Sequence, residues 1–168
     1  MDELERLSPN EVKTAEKHPI IVILDEIRSM HNVGSVFRTC DAFAIEAVFL
    51  CGYTPIPPHR DIHKTALGAT ETVSWKHFAK TTEAIQDAKE AGYKIFAIEQ
   101  AHNSIALQNF KWNKTDKIAL VFGNEVAGVA VEALRMADGC LEIPQWGSKH
   151  SLNISVSAGV VLWEMVRP

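Results

Sequence analysis

Ile118-Ala119-Leu120-Val121-Phe122-Gly123-Asn124-Glu125-Val126-Ala127-Gly128 is the stretch on which the fold turns. Its first five residues form a continuous apolar run, as in a strand covered on both faces. The next six hold two glycines, a carboxamide and a carboxylate, and a short helical pattern over 131–137 follows. Strand, polar loop and helix in that order make up the unit of an open parallel sheet. Ligands bind such sheets beyond the carboxyl ends of their strands.

The same alternation continues outward in both directions. Apolar runs predict strands over 20–24, 47–51, 93–98 and 140–143, each followed by glycine, proline or polar residues. Helical spacing predicts helices over 32–44, with Asn32 as N-cap, over 59–69, and over 81–91, with Gly92 just past its end. Three prolines make 53–58 a loop. Residues 101–116 fit neither pattern, and Phe110 and Trp112 are expected to pack them down. The last segment is harder. Leu152, Ile154, Val156 and Ala158 alternate with Asn153, Ser155 and Ser157, which is strand-like, but from Gly159 the chain is apolar nearly all round. Periodicity predicts a strand running into a helix, whereas length favours one helix. So apolar a helix needs cover on several sides, and a subunit interface is one way to supply it.

These elements make an α/β fold, a parallel sheet flanked by helices. The chain's 168 residues fit a single domain over 20–168, preceded by a polar arm or short helix over 1–19. A chain of this length buries about 70% of its unfolded surface and needs no disulfide or structural metal. No run of 18 apolar residues spans a membrane, and the first residues are too polar for a secretion signal. Cys40, Cys51 and Cys140 form no C-x-x-C pair and read as reduced thiols of a cytoplasmic protein. A net charge of −4 argues against strong non-specific binding to nucleic acid. Local basic clusters remain: His59-Arg60 with His63-Lys64, Lys76-His77 with Lys80, and Lys111 with Lys114 and Lys117. Ordinary solvated positions are the simpler account of them.

Several chemistries lack their signature. No Lys-Ser or Lys-Thr follows Gly128, so the glycine loop is not a P-loop, and no G-x-G-x-x-G occurs. A tight turn needs glycine but does not need Glu125 between two of them. His59 and His63 are four apart, but no third ligand matches them, so no metal is expected. His150 adjoins Ser151 without a G-x-S-x-G elbow. Taken singly, Arg38 reads as a structural ion-pair partner, and Ser151 and Asn153 as helix caps.

Taken together, three clusters resemble the SpoU (TrmH-like) family of RNA ribose 2′-O-methyltransferases, in the SPOUT superfamily. Asn32, Gly34 and Arg38 match N-x-G-x-x-x-R. Gly123, Asn124, Glu125 and Gly128 match G-N-E-x-x-G. Ile143, Pro144, Ser151, Leu152, Asn153 and Ser155 match I-P…S-L-N-x-S, and Lys64-Thr65-Ala66-Leu67-Gly68-Ala69 resembles the segment between the first two motifs. Val126 departs from the pattern, since many members carry a second glycine there.

The resemblance implies a C-terminal deep trefoil knot, a single helix over 151–166, and a homodimer with its active sites near the interface. It implies S-adenosylmethionine as cofactor, held by Ile98, Glu99, Gln100, Phe122, Gly123, Asn124, Gly128, Ile143 and Leu152, largely through backbone groups. It implies a catalytic set of Arg38, Glu125, Ser151, Asn153 and Asn32. In that set the family's proposals cast Arg38 as a base, but arginine is effectively never deprotonated, so its expected role is to bind the phosphate next to the target ribose, and Glu125 orients Arg38 or the ribose. Ser151 and Asn153 bond the arginine loop or substrate. The expected substrate is RNA. A compact chain without a long basic tail or an added RNA-binding domain favours tRNA over rRNA. A non-catalytic RNA- or cofactor-binding module on the same fold is the alternative.

Overall fold

A computed structural model describes residue 11, residues 15–148 and residues 151–168. The arm expected over 1–19 lies mostly outside these residues, as does His150. Seven parallel strands form one sheet: β1 (His18–Asp25), β2 (Ile45–Cys51), β3 (Ser74–Phe78), β4 (Lys94–Ile98), β5 (Ile105–Ala106), β6 (Ile118–Phe122) and β7 (Gly139–Glu142). Their order is β3-β2-β1-β6-β4-β7-β5. The helices are α1 (Met30–Ala42), α2 (Arg60–Ala66), α3 (Ala69–Thr72), α4 (Thr81–Glu90), α5 (Val131–Met136) and α6 (Ile154–Val166), with one 3-10 turn at Leu107–Asn109.

The apolar runs are continuous because each strand feeds two cores. Ile20, Val22 and Leu24 of β1 face one side of the sheet, with Ile118, Leu120 and Phe122 of β6. Ile21 and Ile23 face the other, with Ala119 and Val121. The first core is closed by Val33, Val36 and Phe37 of α1, Ile62 of α2, and Ile154, Ala158, Val161 and Leu162 of α6. The second is closed by Ala84, Ile85 and Ala88 of α4 and Ala133 of α5. Each fully buried Ile, Val or Leu contributes about 1.5–3 kcal/mol over its exposed state. Phe110 and Trp112 pack on the first core and hold down the irregular 101–116 stretch, as expected.

Gly34 has a packing reason. A Cβ there would lie 2.1 Å from Thr65 Oγ1 and 2.3 Å from the Ile62 carbonyl. α1 and α2 therefore cross with their backbones nearly touching, and Thr65 seals the crossing by donating to the His31 carbonyl at 2.9 Å. The helix predicted over 59–69 is two, α2 and α3, because Leu67 (φ 49°) and Gly68 (φ 91°) are both left-handed.

Two strands escaped the sequence pattern. β3 is an edge strand that exposes Lys76 on one face and His77 on the other, and β5 is only two residues long. β1 starts at His18 and includes Pro19, which an opening strand residue tolerates. The last segment is helical from Ile154, and its residues 151–153 lie outside the helix. The period-two pattern there comes from a helix that buries Ile154 and Ala158 but exposes Val156.

Candidate active site

All seven strands point the same way, so their carboxyl ends share one edge. A cavity of about 540 Å³ opens there, beyond β4, β6 and β7. All nine residues expected to hold a cofactor line it: Ile98, Glu99 and Gln100 after β4, Phe122, Gly123, Asn124 and Gly128 after β6, Ile143 after β7, and Leu152 before α6. Glu125 and Ser151 line it as well. Sequence reasoning missed Glu142 and Gln145, which complete the wall.

The glycine loop closes on itself. Asn124 N–H donates to the Gly128 carbonyl at 3.0 Å, and Gly128 N–H returns a bond at 2.8 Å. Asn124 Oδ1 accepts from Val126 and Ala127 N–H at 2.9 and 3.2 Å, and Asn124 Nδ2 donates to the Glu26 carbonyl at 2.7 Å. Gly123 is required by contact. A Cβ there would sit 2.1 Å from the Gly128 carbonyl carbon. At Gly128 (φ 70°) the Glu99 carboxylate fills the side-chain space, 2.4 Å from where a Cβ would be, and accepts from Val129 N–H at 3.1 Å. Asp25, buried at the end of β1, accepts from Ala130 N–H at 2.8 Å and from the Thr81 hydroxyl. Glu26, Asp25 and Glu99 thus clamp the loop from below. A carboxylate ending a buried strand was the only sequence signal for Asp25.

The charge of the cavity is distinctive. Glu99, Glu125 and Glu142 line it, and no Lys, Arg or His does among the described residues. Such a wall suits a cationic ligand and opposes a phosphate-bearing one, since like charges at close range repel. The carboxylates are held in place: Glu142 accepts from Ser104 Oγ at 2.7 Å, and Glu125 from Asn32 Nδ2 at 3.0 Å.

The latter bond begins a chain that joins the three motifs. Asn32 Oδ1 accepts from Asn153 Nδ2 at 3.2 Å, and Asn153 Oδ1 accepts from Ser155 N–H at 2.9 Å and Ser155 Oγ at 2.6 Å. Asn153 is therefore both the cap of α6 and a partner of Asn32. The predicted cap of α1 is corrected. Ser29 caps the helix, accepting from Asn32 N–H at 3.3 Å, which leaves the Asn32 carboxamide free to bridge Glu125 and Asn153.

Arg38 is not part of this chain. It is exposed on α1 and makes no ion pair or hydrogen bond among the described residues. Glu125, expected as one possible partner for it, holds Asn32 instead. The thiols are not poised as nucleophiles: burial pushes Cys51 up to about 12, and pushes Cys40 and Cys140 up as well. His59 caps α2, its Nδ1 accepting from Asp61 N–H at 3.1 Å. No helix among the described residues is long and apolar enough to cross a membrane.

Comparison with known proteins agrees with this geometry. Residues 19–163 match the SpoU rRNA Methylase family. The chain is 31% identical over 168 residues to a tRNA (guanosine(18)-2'-O)-methyltransferase of Thermus thermophilus, covering 98% of this chain and 83% of that one. It is 33% identical over 149 residues to the 23S rRNA (guanosine-2'-O-)-methyltransferase RlmB of Neisseria meningitidis, covering 89% of this chain but only 58% of that one. Among solved structures it superposes on an AdoMet-bound rRNA methyltransferase from Sinorhizobium meliloti with TM-score 0.83 and 29% identity, covering 96% of this chain and 61% of that one. The TrmH/SpoU tRNA modifying enzyme of A. aeolicus superposes with TM-score 0.80 and 26% identity, covering 93% and 77%.

Proposed function

We propose that this chain, which belongs to the SpoU rRNA Methylase family, transfers a methyl group from S-adenosylmethionine to a ribose 2′-hydroxyl of RNA. The cavity carries the reading. It combines a backbone cradle at Gly123 and Gly128, where any Cβ would intrude, with three carboxylates and no cationic side chain among the described residues. Its volume lies within the usual range for small-molecule sites. S-adenosylmethionine supplies a methyl on a sulfonium, already a good leaving group, so its positive charge fits a wall that would repel a nucleotide phosphate.

The protein's share of the work is alignment and handling of one proton. Holding the ribose hydroxyl in line with the methyl is worth about 7–11 kcal/mol, and removing its proton adds about 10²–10⁴-fold. Arg38 is effectively never deprotonated, so it binds the phosphate beside the target ribose rather than acting as base, and that phosphate or water accepts the hydroxyl proton. Glu125, oriented by Asn32, faces the ribose, and Ser151 lies on the same wall.

Arg38 reaches this site through a second copy of the chain. α6 leaves Val156, Val160 and Trp163 on one exposed stripe, 51%, 40% and 55% accessible, at helical spacing. A homodimer covers that stripe and brings a guanidinium to each cavity. The knot belongs to the same reading, supported by α5 before β7 and α6 after it packing on opposite faces of the sheet. We place the enzyme in the cytoplasm and take tRNA as substrate ahead of rRNA. Similarity to the Thermus tRNA enzyme runs along 83% of its length, against 58% for the Neisseria rRNA enzyme.

Labelled cofactor incubated with bulk tRNA and, separately, bulk rRNA tests the proposal. Digestion to nucleosides should yield a labelled 2′-O-methyl nucleoside from the tRNA arm. Label in rRNA only would reverse the substrate order. Cofactor binding without transfer to either RNA would favour the non-catalytic module.

A further inference from the structure

Tyr53 lies two residues past the end of β2, two strands along the same edge from the glycine loop, a step of about 10 Å. Its side chain is 87% exposed. A lone exposed aromatic is ordinary, but the backbone beneath this one is fixed at every residue. Gly52 N–H donates to the Phe78 carbonyl at 3.0 Å, and His77 Nε2 donates to the Gly52 carbonyl at 3.2 Å. Tyr53 N–H donates to Glu26 Oε2 at 3.0 Å. Buried Thr54 accepts from Ile27 N–H at 3.0 Å and donates to the Leu24 carbonyl at 3.2 Å. Gly52 is left-handed (φ 60°), and the Glu26 carboxylate stands 2.0 Å from where its Cβ would be.

Glu26, itself at φ 57°, therefore touches both regions. Its carboxylate holds the Tyr53 amide, and its carbonyl holds Asn124 of the glycine loop at 2.7 Å. Two residues further on, Arg28 is exposed and makes no ion pair or hydrogen bond among the described residues. The loops pair at Glu26–Tyr53 and Ile27–Thr54, so Arg28 follows directly on that contact. A ring on a fixed backbone and an uncommitted guanidinium on the neighbouring loop offer one surface for a base and one for a phosphate.

We propose that Tyr53 and Arg28 form a subsite for an RNA nucleotide flanking the methylated one. The ring stacks on its base and the guanidinium pairs with its phosphate. Glu26 is a positioning residue that sets this subsite against the cofactor loop. The proposal rests on the RNA methyltransferase reading.

Filter binding of labelled bulk tRNA and, separately, bulk rRNA to wild type, Tyr53→Ala, Tyr53→Phe and Arg28→Ala tests it, alongside methyl transfer and cofactor titration. Tyr53→Ala should weaken RNA binding about tenfold and raise the RNA KM to match, while Tyr53→Phe stays within about twofold. Arg28→Ala should weaken binding and lower the salt slope of log K by about 0.7–0.9. Cofactor affinity and melting temperature should not move. Wild-type RNA binding in Tyr53→Ala, or equal damage from Tyr53→Phe, overturns the subsite. Binding that depends on Tyr53 in a protein that transfers no methyl group sinks the enzymatic reading and leaves the subsite standing.

Discussion

The cavity at the strand ends and the outer face of the α1–α6 pair are built on opposite terms. Around the cavity, Asn32, Asn124, Glu99, Glu125 and Glu142 all have hydrogen-bond partners in the same chain. The two helices run parallel, pinned by Asn153 to Asn32 at one end and by Phe43 against Trp163, ring centroids 6.0 Å apart, at the other. Between these pins α1 sends Arg38 out to solvent without a partner, and α6 leaves its valine stripe bare. The cavity is therefore a closed half, bonded within one chain, and the outer helix face an open one.

The largest break in that contrast is Arg38→Ala. Methyl transfer should fall by about 10³-fold, while cofactor affinity by calorimetry stays within about threefold. Near-normal turnover would remove Arg38 from the site and with it any catalytic role for the open face. Gly123→Ala attacks the closed half. The new Cβ would lie 2.1 Å from one backbone atom and 2.2 Å from another, neither of which can swing aside as a side chain can. The Asn124–Gly128 pairing should open, cofactor affinity should fall about 100-fold (about 2.7 kcal/mol), and the assembly state should not change. Unaltered affinity would mean the cofactor sits elsewhere.

Val160→Lys addresses the open face alone. The side chain is already accessible in the isolated chain, so the fold should survive. A lysine buried without a partner across an interface is costly, and light scattering should show monomers where wild type shows dimers. Transfer should drop with the dimer, more than cofactor affinity does. A variant that keeps the wild-type assembly would show that α6 is not the interface.

What the sequence disclosed divides along similar physical lines. Three strands were legible because burial on both faces leaves an unbroken apolar run, as in Ile20–Leu24 and Ile118–Phe122, and β4 and β7 were legible from apolar stretches interrupted by Lys94 and Glu142. β3 was not, since an edge strand is wet enough to admit Lys76 on one face and His77 on the other. The glycine loop was legible because only glycine tolerates the approach at Gly123. Its clamps were not, because Asn124 reaches Glu26 across 98 residues and Ala130 reaches Asp25 across 105. Asn32 was misread as a cap for a local reason. Ser29, three residues earlier, accepts from the Asn32 amide and starts the helix sooner, and no one-dimensional rule says which polar residue of a pair will be released for other work.

Asn153 gives the smallest and most discriminating test, since it belongs to both halves. Its Oδ1 caps α6 and its Nδ2 donates to Asn32, which in turn holds Glu125. Asn153→Ala removes both functions. Loss of the cap costs about 1 kcal/mol, a fall of about 2–4 °C in melting temperature for a chain of this size. Loss of the bridge lets Asn32 and Glu125 reorient, and kcat should fall about tenfold, more than so small a change in stability explains. Asn153→Asp separates the two effects. It retains the oxygen that caps the helix, and a carboxylate at a helix start is favourable, so melting should recover. It cannot donate to Asn32, so kcat should stay low. Recovery of both would reduce Asn153 to a cap and leave Asn32 and Glu125 to hold their geometry unaided.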